Sequence, residues 1–498
     1  MQKDILIFFS DQHSYRLQGY AGTPVIRTPW MDYLAANGTV MHQAMTSCPL
    51  CTPARMSFMT GQYASRIGVL DNASTFHSCQ ATFAHCLNAA GYETVLCGRM
   101  HFLGPDQRHG FSRRIAGDRT PLYVNQPSGT DGHSAGPFRG FMEEAAIHYM
   151  GPGDSPVLAY DRYVISQALD YLSHNYEKPQ MITVGVYGPH FPYTAPKELY
   201  DYYCDKVPLD DNDYSHFAEH PVYDGKLHDS DPEVVRAARA NYYGMVEFTD
   251  QNIGKVYEAW QRYLKRNNRE GIFVYISDHG DQNGQRGYYG KQTFYEDSVH
   301  IPMIFHGDGI PCGKEIHTPV SLMDVGPTLC RLVGAPIPPH PDGKSLDRMI
   351  TSDAVDNERY VISEDLQVLG IGQYALGRMV RHKNWKYYEY SGFEDTYLFD
   401  CDADPDEKIN TAASHPELMA EFKEQLEQCP DIDTYFTHKK WLEENNRILR
   451  KCSFDGEERW RCPEESCQPL EFFVASKQPE RLPKWLEEMI KSGESRLV

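Results

Sequence analysis

The sequence predicts an α/β protein with a large mixed, mostly parallel sheet sandwiched by helices, followed by a smaller α+β unit with an antiparallel sheet. Short apolar runs alternate with helix-like stretches, polar residues directly follow those runs, and the pattern changes near residue 355. Continuous apolar strands that alternate with helices are typical of a parallel sheet covered on both faces. We therefore expect two domains, residues 1–355 and residues 356–498.

The first domain contains five predicted strands, each a short run of strand-forming apolar residues. They lie at residues 5–9, 94–97, 182–187, 272–276 and 301–305. Helix-like stretches lie between or after them, at residues 28–37, 81–90, 161–175, 234–266 and 322–333.

The second domain begins where short, separate strand-like runs replace the alternation of strands and helices. The predicted strands lie at residues 359–362, 373–380, 385–390 and 397–399, and a helix is predicted at residues 417–428. Residues 430–498 are charged and contain cysteines, and we expect a helical or irregular tail there.

Composition and charge exclude several classes of function. Apolar residues make up 41% of the 498 residues, which is too many for a disordered chain. The net charge of −21 argues against a broad nucleic-acid surface, which needs clustered basic residues. The apolar run at residues 5–9 is shorter than the ~7–15 apolar residues of a signal peptide or the about 20 of a membrane helix. The chain has thirteen cysteines, an odd number, so we expect a reduced, cytoplasmic protein. The shortness of the apolar run predicts that a membrane is not a partner.

Polar residues follow four of the predicted strands, at the point where each strand ends. The four segments are Ser10-Asp11-Gln12, Gly98-Arg99-Met100-His101, Gly188-Pro189-His190 and Ser277-Asp278-His279-Gly280. Open α/β sheets bind ligands at the carboxyl ends of their strands. We therefore expect these four segments to converge on one crevice.

The segment from Cys51 to Gly61 is the densest motif in the chain. Pro53 suits the first turn of a helix and Gly61 suits its end. Cys51 would then lie at the helix N-terminus, where free backbone N–H groups and the helix dipole favour an anion. Arg55 follows one turn later and can lean back towards Cys51.

Three other interpretations of Cys51 are open from the residues alone. Cys48 and Cys51 could form half of a zinc site, although the sequence offers no second pair of ligands at a suitable spacing. Cys51 could be a phosphatase thiolate, but that loop type places more than three residues between its cysteine and its arginine. Cys51 could also be an ordinary buried cysteine beside a helix start.

The pattern Cys51-x-Pro53-Ala54-Arg55, followed by Thr60-Gly61, resembles the signature of the type I sulfatases of the alkaline phosphatase superfamily. Further segments match that family in order: Asp11-Gln12, Gly98–His101, Gly188–His190, Ser277–Gly280, Gly290-Lys291 and residues 398–405. An ordered set of motifs over residues 1–430 is more specific than a single motif. The resemblance implies an alkaline-phosphatase-like fold, a catalytic domain over residues 1–355, and hydrolysis of a sulfate ester to an alcohol and inorganic sulfate.

In that family the cysteine is oxidised to formylglycine, so the resemblance implies a formylglycine-generating maturation enzyme as a partner. The hydrated aldehyde has two hydroxyls: one attacks sulfur, and the other loses its proton as sulfate is released. The resemblance also implies a bound Ca²⁺, or alternatively Mg²⁺, that activates the diol. The implied metal ligands are Asp11, Gln12, Cys51, Asp278 and His279.

The catalytic residues that the resemblance implies are Cys51, Arg55, Arg99, His101, His190 and Lys291. Arg55 is expected to orient the diol, and His101 to act as the base for its second hydroxyl. His190 and Lys291 are expected to bind sulfate and to supply a proton or positive charge to the leaving oxygen. Arg99 stands where the family usually has lysine, so we expect an electrostatic role, because arginine does not donate its proton at neutral pH. Asp281, His13 and His109 lie near these motifs, and we expect supporting or surface positions for them.

The substrate is less constrained. Residues 60–69, 71–74 and 100–111 resemble bacterial choline sulfatases, and the 33 tyrosines would allow an aromatic cage for a quaternary ammonium group. Residues 118–123 and the C-terminal tail do not resemble those enzymes, so the tail-mediated oligomer of that group is not carried over and the oligomeric state stays open. We expect a small organic or carbohydrate sulfate, with choline sulfate among the candidates and aryl sulfates as another class. A phosphonate monoester or phosphodiester hydrolase, or an inactive relative that binds a sulfated ligand, is the alternative.

Overall fold

The computed structural model describes residues 3–104, 106–118, 147, 150–209, 220–223, 229–370, 373–430, 436–437 and 440–441. Residues 119–123 and nearly all of the tail considered above lie outside this part. The strands, in chain order, are β1 (Asp4–Asp11), β2 (Thr39–Met41), β3 (Ala44–Met45), β4 (Glu93–Gly98), β5 (Arg113–Ala116), β6 (Gln180–Pro189), β7 (Gly271–Ser277), β8 (Met303–Gly307), β9 (Lys314–Ile316), β10 (Val320–Ser321), β11 (Val361–Gly370), β12 (Gln373–His382), β13 (Trp385–Tyr390) and β14 (Thr396–Asp400).

Seven helices match predicted stretches, and four short ones, at residues 64–67, 197–203, 296–299 and 347–351, were not predicted from the sequence. The described residues contain eleven α-helices in all. They are α1 (Pro29–Ala36), α2 (Cys51–Thr60), α3 (Ala64–Ile67), α4 (Phe83–Ala89), α5 (Pro156–Leu172), α6 (Lys197–Tyr203), α7 (Pro232–Asn267), α8 (Glu296–Val299), α9 (Val325–Leu332), α10 (Asp347–Thr351) and α11 (Pro416–Leu426). Among the described residues, no helix is both long enough and apolar enough to span a lipid bilayer.

Eight strands form the main sheet, in the order β5-β4-β6-β1-β7-β8-β2-β9. The pairs β4–β5, β4–β6, β1–β6, β1–β7 and β2–β9 are parallel, whereas β7–β8 and β2–β8 are antiparallel. The predicted mixed, mostly parallel sheet is therefore confirmed. The strand β1 lies between β6 and β7, so the polar residues that follow these three strands are brought to the same edge.

Both faces of the main sheet are covered, and β1 shows how. Leu6 and Phe8 pack into one apolar core with residues of α1, α5 and α7. Ile5, Ile7 and Phe9 point to the opposite face and pack with residues of α2, α4 and α9. Because alternate side chains of a strand point to opposite faces, a strand buried on both sides must be apolar throughout.

The strands β11 to β14 form a separate antiparallel sheet in chain order, as predicted for the second domain. One face packs against Phe294 and Val299, which precede this sheet in the chain, and the other packs against Phe422 of α11. The ammonium group of Lys386 in β13 is fully buried between the carboxylates of Glu296 and Glu407. Charged as well as apolar contacts thus join this sheet to the rest of the chain.

Several strands were not predicted from the sequence. The strands β2, β5 and β9 have only three or four residues, and polar or charged side chains interrupt any apolar run. The strand β8 begins at Met303, later than the predicted start at residue 301. Strands this short depend on neighbours that are distant in sequence, so a local pattern does not mark them.

Candidate active site

The polar segments that follow β1, β4, β6 and β7 meet the N-terminus of α2 at the carboxyl end of the main sheet. Asp11 is the last residue of β1, and Asp278 directly follows β7. Cys51 is the first residue of α2, and Gly61 ends this helix in the left-handed conformation, with φ +71. The predicted site side chains converge here, and all of them are buried.

Cys51 lies at the centre of this group. Its Sγ is 3.2 Å from His279 Nε2, 3.2 Å from Lys291 Nζ and 3.7 Å from Asp11 Oδ1. Burial by itself would raise the pKa of the thiol, but the charges of Lys291 and His279 hold that pKa well below its ordinary value. The position of Sγ therefore favours an anionic or strongly polar group.

Four side chains offer metal-ligand atoms that lie within 4.8 Å of one another: Asp11, Cys51, Asp278 and His279. His279 Nδ1 lies 3.0 Å from the carbonyl oxygen of Gly280, which can only accept, so Nδ1 carries a proton. In the neutral form of the ring, Nε2 then has the lone pair that can bind a cation. Metal-binding histidines are commonly held in this way. Two carboxylates and an oriented imidazole fit a divalent cation.

Gln12, the fifth predicted ligand, is buried and hydrogen-bonded beside this cluster. Its Oε1 accepts a hydrogen bond from Lys291 Nζ at 2.7 Å, and its Nε2 donates to the carboxylate of Asp281. The backbone N–H of Gln12 donates to Asp278 Oδ1 at 3.0 Å. Gln12 thus connects the cluster of metal-ligand atoms to Lys291.

Arg55 forms hydrogen bonds to both carboxylates of the cluster. Its Nε donates to Asp278 Oδ2 at 2.8 Å, and its Nη2 donates to Asp11 Oδ2 at 3.1 Å. Burial and Cys51 would raise the pKa of Asp11, but Arg99 and Arg55 lower it to about 2. Arg55 was expected to orient the diol. The structure places its guanidinium on the carboxylates.

Arg99 also bonds to Asp11, through Nε. Its Nη1 lies 3.4 Å from Asp118 Oδ1, and its Nη2 donates to His101 Nδ1 at 3.1 Å. Because a guanidinium can only donate, Nδ1 must accept, and the proton of a neutral His101 ring is on Nε2. The guanidinium carbon also lies 4.1 Å from the ring centre of Tyr187, in a cation–π contact.

Lys291 and His190 form the other side of the site. Lys291 Nζ donates to His190 Nε2 at 2.7 Å, and His190 Nδ1 lies 2.6 Å from the carbonyl oxygen of Phe191. Burial, and then the charge of Lys291, lowers the pKa of His190 to about 4. His190 is therefore neutral at pH 7, with its proton on Nδ1.

Asp118 was missed as a site residue in the sequence. Its carboxylate accepts from the backbone N–H of Met100 and of His101, and His101 has a left-handed φ of +59. It follows the short strand β5, which the sequence pattern did not mark. Recognising that strand would have placed Asp118 at the same edge of the sheet.

The three residues near the motifs have separate settings. Asp281 is buried and accepts from Tyr193 Oη at 2.8 Å, and burial raises its pKa to about 6. His13 Nδ1 bonds to Tyr275 Oη at 2.5 Å. The His109 ring packs against Phe102, with ring centres 4.6 Å apart.

Comparisons with known proteins agree on one family. The sequence profile of the family described as Sulfatase matches residues 3–335, and the profile "N-sulphoglucosamine sulphohydrolase, C-terminal" matches residues 284–431. The choline-sulfatase of Rhizobium meliloti (strain 1021) is 33% identical over 432 residues, which cover 82% of this chain and 82% of that protein. Arylsulfatase K of Mus musculus is 25% identical over 454 residues, which cover 85% of this chain and 78% of that protein.

A solved structure shows the same fold. The phosphonate monoester hydrolase of Agrobacterium radiobacter superposes with a TM-score of 0.69 at 19% sequence identity. The superposition covers 88% of this chain and 96% of that chain. At this level of identity the likeness supports the architecture alone.

Proposed function

This chain belongs to the sulfatase family and is a sulfuric ester hydrolase, and we propose that it cleaves a small organic or carbohydrate sulfate through a formylglycine made from Cys51. The observation that carries this proposal is the setting of Cys51 Sγ, which lies 3.2 Å from both His279 Nε2 and Lys291 Nζ. The buried carboxylates of Asp11 and Asp278 complete the setting. We further propose that a maturation enzyme oxidises Cys51.

Two groups from outside the unmodified chain would supply part of the chemistry. A hydrated formylglycine at residue 51 would supply one hydroxyl as the nucleophile and a second that can lose a proton as sulfate leaves. A divalent cation, Ca²⁺ or alternatively Mg²⁺, would be held by Asp11, Gln12, Asp278, His279 and residue 51. It would supply positive charge for sulfate oxygens.

The chain's own residues prepare the site for these groups. Arg55 and Arg99 both engage Asp11 Oδ2, which leaves Oδ1 on the side of Cys51. Asp278 Oδ1 accepts from the backbone N–H groups of Gln12 and His279, so that carboxylate is fixed as well. Groups held in this way need no reorganisation during the reaction, which lowers the barrier.

Lys291 is the residue best placed to act on the leaving oxygen. It is buried, and its ammonium group is held by His190 Nε2 and Gln12 Oε1, both at 2.7 Å. The same ammonium group lies 3.2 Å from Cys51 Sγ. Lys291 can therefore place positive charge, or a proton, at an ester oxygen beside residue 51.

Arg99 restricts the base role expected for His101. While His101 Nδ1 accepts from Arg99, Nε2 carries the ring proton and has no lone pair for a second one. Removal of a proton through Nε2 would therefore require the bond between Arg99 and His101 to break. We propose that Arg99 acts by charge and by orienting this ring.

The test is sulfate release by the full-length protein, co-expressed with a formylglycine-generating enzyme. The panel contains choline sulfate, an aryl sulfate, a glucosamine sulfate and an aryl phosphonate monoester. Cys51→Ala is the loss variant, and Cys48→Ala is its matched control, since Cys48 is also buried. We expect sulfate release by the wild type and by Cys48→Ala, loss of at least 10³-fold in Cys51→Ala, and loss on chelation that Ca²⁺ reverses.

Each contrary outcome has a defined meaning. Faster turnover of the phosphonate ester than of any sulfate ester would replace the proposed substrate class. Binding of sulfate esters without turnover, in fully modified protein, would identify an inactive relative. Choline sulfate is in the panel because of the choline-sulfatase relative, and the absence of any preference for it would remove choline from the proposal.

A further inference from the structure

A second group of potential metal ligands lies at the edge of the main sheet: His42, Glu315 and His317. The edge strand β9 runs parallel to β2, with Met41 opposite Ile316. The pairing continues beyond β2, because the backbone N–H of His42 donates to the carbonyl oxygen of Ile316 at 2.8 Å. Glu315 and His317 are two residues apart in extended chain, so their side chains share a face.

The ligand atoms of these three side chains converge. Glu315 Oε2 is 3.9 Å from His42 Nε2 and 3.6 Å from His317 Nε2, and all three atoms lie within 4.8 Å of one another. Two atoms bound to one tetrahedral Zn²⁺ at ~2.0–2.1 Å are separated by roughly 3.4 Å. The His317 ring is stacked on the His42 ring, with ring centres 4.7 Å apart and an interplanar angle of 8°, so its Nε2 lone pair lies in a plane parallel to that of His42. Because His317 and Glu315 are exposed, rotation of the His317 side chain can turn its Nε2 towards an ion held by the other two residues.

His42 is held as a metal-binding histidine is held. Its Nδ1 lies 2.6 Å from Tyr15 Oη, while its Nε2 is shielded from solvent and has no hydrogen-bond partner in the described part of the chain. Tyr15 is itself fixed by stacking on His300, with ring centres 4.0 Å apart. An Nδ1 proton donated to the tyrosine oxygen leaves a lone pair on Nε2, which lies 3.9 Å from Glu315 Oε2.

We propose that His42, Glu315 and His317 form a second divalent-metal site, selective for Zn²⁺ and similar ions, that fastens the edge strand β9 to β2. Two imidazole nitrogens and one carboxylate oxygen are a ligand set that suits Zn²⁺, and water can fill the remaining position. Ca²⁺ prefers six to eight oxygen ligands and is not expected to bind here. This site is independent of the function proposed above.

Isothermal titration of the full-length protein with ZnCl₂, in saturating Ca²⁺, tests the proposal. His317→Ala and Glu315→Gln are the loss variants, because both side chains are about two-thirds exposed and contribute little to folding. His174→Ala is the matched control, as an exposed histidine remote in sequence. Cys312→Ser tests the exposed thiol that precedes β9.

We expect the wild type, His174→Ala and Cys312→Ser to bind one more equivalent of Zn²⁺ than His317→Ala. In Glu315→Gln we expect at least tenfold weaker binding of that equivalent. Zn²⁺ should also raise the thermal unfolding midpoint of the wild type but not of His317→Ala. Equal stoichiometry in the wild type and His317→Ala would overturn the proposal. Loss of the equivalent in Cys312→Ser alone would also overturn it, by assigning the zinc to the thiol.

Discussion

Replacement of Arg55 by methionine tests whether this arginine compensates the buried carboxylates of the site. The variant keeps most of the apolar volume but removes the donors at 2.8 Å from Asp278 and 3.1 Å from Asp11. Asp11 would still be paired with Arg99, so Asp278 is the carboxylate that loses its arginine partner. Burial already raises the pKa of Asp278, and Arg55 is the nearest group that lowers it.

The expected loss of stability can be bounded. A buried carboxylate left without its partner costs about 3–5 kcal/mol. The carboxyl group can escape this cost by taking up a proton, at about 1.4 kcal/mol for each pH unit above its ordinary pKa of about 3.9. That limit is about 4 kcal/mol at pH 7 and about 1.5 kcal/mol at pH 5. The Asp278 pKa is higher in the folded variant than in its unfolded chain, so the loss grows as pH rises.

The assay is urea unfolding of the wild type and Arg55→Met at pH 5 and pH 7, with EDTA present. Arg66→Met is the matched control, since Arg66 bonds to Asp342 at 2.8 Å and 2.9 Å but is 43% exposed. An exposed pair of this kind contributes about 0–1 kcal/mol to stability. We expect a loss of about 3–4 kcal/mol for Arg55→Met at pH 7 and a smaller loss at pH 5. At pH 5 Asp278 contributes at most about 1.5 kcal/mol, and the rest comes from the lost hydrogen bonds to the carbonyl oxygens of Ser10 and Arg99, which do not depend on pH.

A loss below about 1 kcal/mol at pH 7, or a loss equal at the two pH values, would refute the reasoning. The first result would mean that Arg55 does not compensate Asp278. The second would mean that the cost comes from packing and not from charge, because a packing defect does not titrate.

Three further results are expected. Lys291→Met should lower kcat on a sulfate ester by about 10²–10³-fold, as for loss of one oriented charged donor, and wild-type turnover would exclude the leaving-group role. Arg99→Ala should turn over more slowly than Arg99→Lys, and wild-type rates in both would exclude a role for the charge. Burial raises the pKa of Asp250 to about 7, so the contribution of this group to stability should fall as pH rises from about 4 to 7. Urea midpoints should therefore depend less steeply on pH in Asp250→Asn than in the wild type, and an unchanged slope would contradict this.

Local pattern was sufficient for the main elements of the fold. The predicted strand at residues 5–9 is the apolar part of β1, Asp4–Asp11, and the predicted helix at residues 234–266 is α7, Pro232–Asn267. The strand β1 has a continuous apolar run and α7 has apolar residues at a helical repeat, because both elements are buried against neighbouring layers. The short strands β2 and β9 have no such run. They form because β2 pairs with β8 on one side and with β9 on the other.

The site was predictable as a set of positions but not as a set of contacts. Asp11, Asp278 and Cys51 follow or begin elements that the sequence marked, so their convergence followed from topology. The bond from Arg99 to His101, and the backbone bonds of Asp118, depend on rotamers and on a short strand that no spacing encodes. Likewise, no spacing indicated that the amide of Gln12 bridges Lys291 and Asp281.

The central claim is that residue 51 carries the nucleophile as formylglycine. Peptide mass spectrometry across residue 51 tests it most directly, on full-length protein co-expressed with a formylglycine-generating enzyme. We predict a peptide in which the Cys51 thiol is replaced by an aldehyde, a mass change distinct from that of a disulfide. Recovery of the unmodified thiol alone, from protein made with a competent maturation enzyme, would contradict the claim.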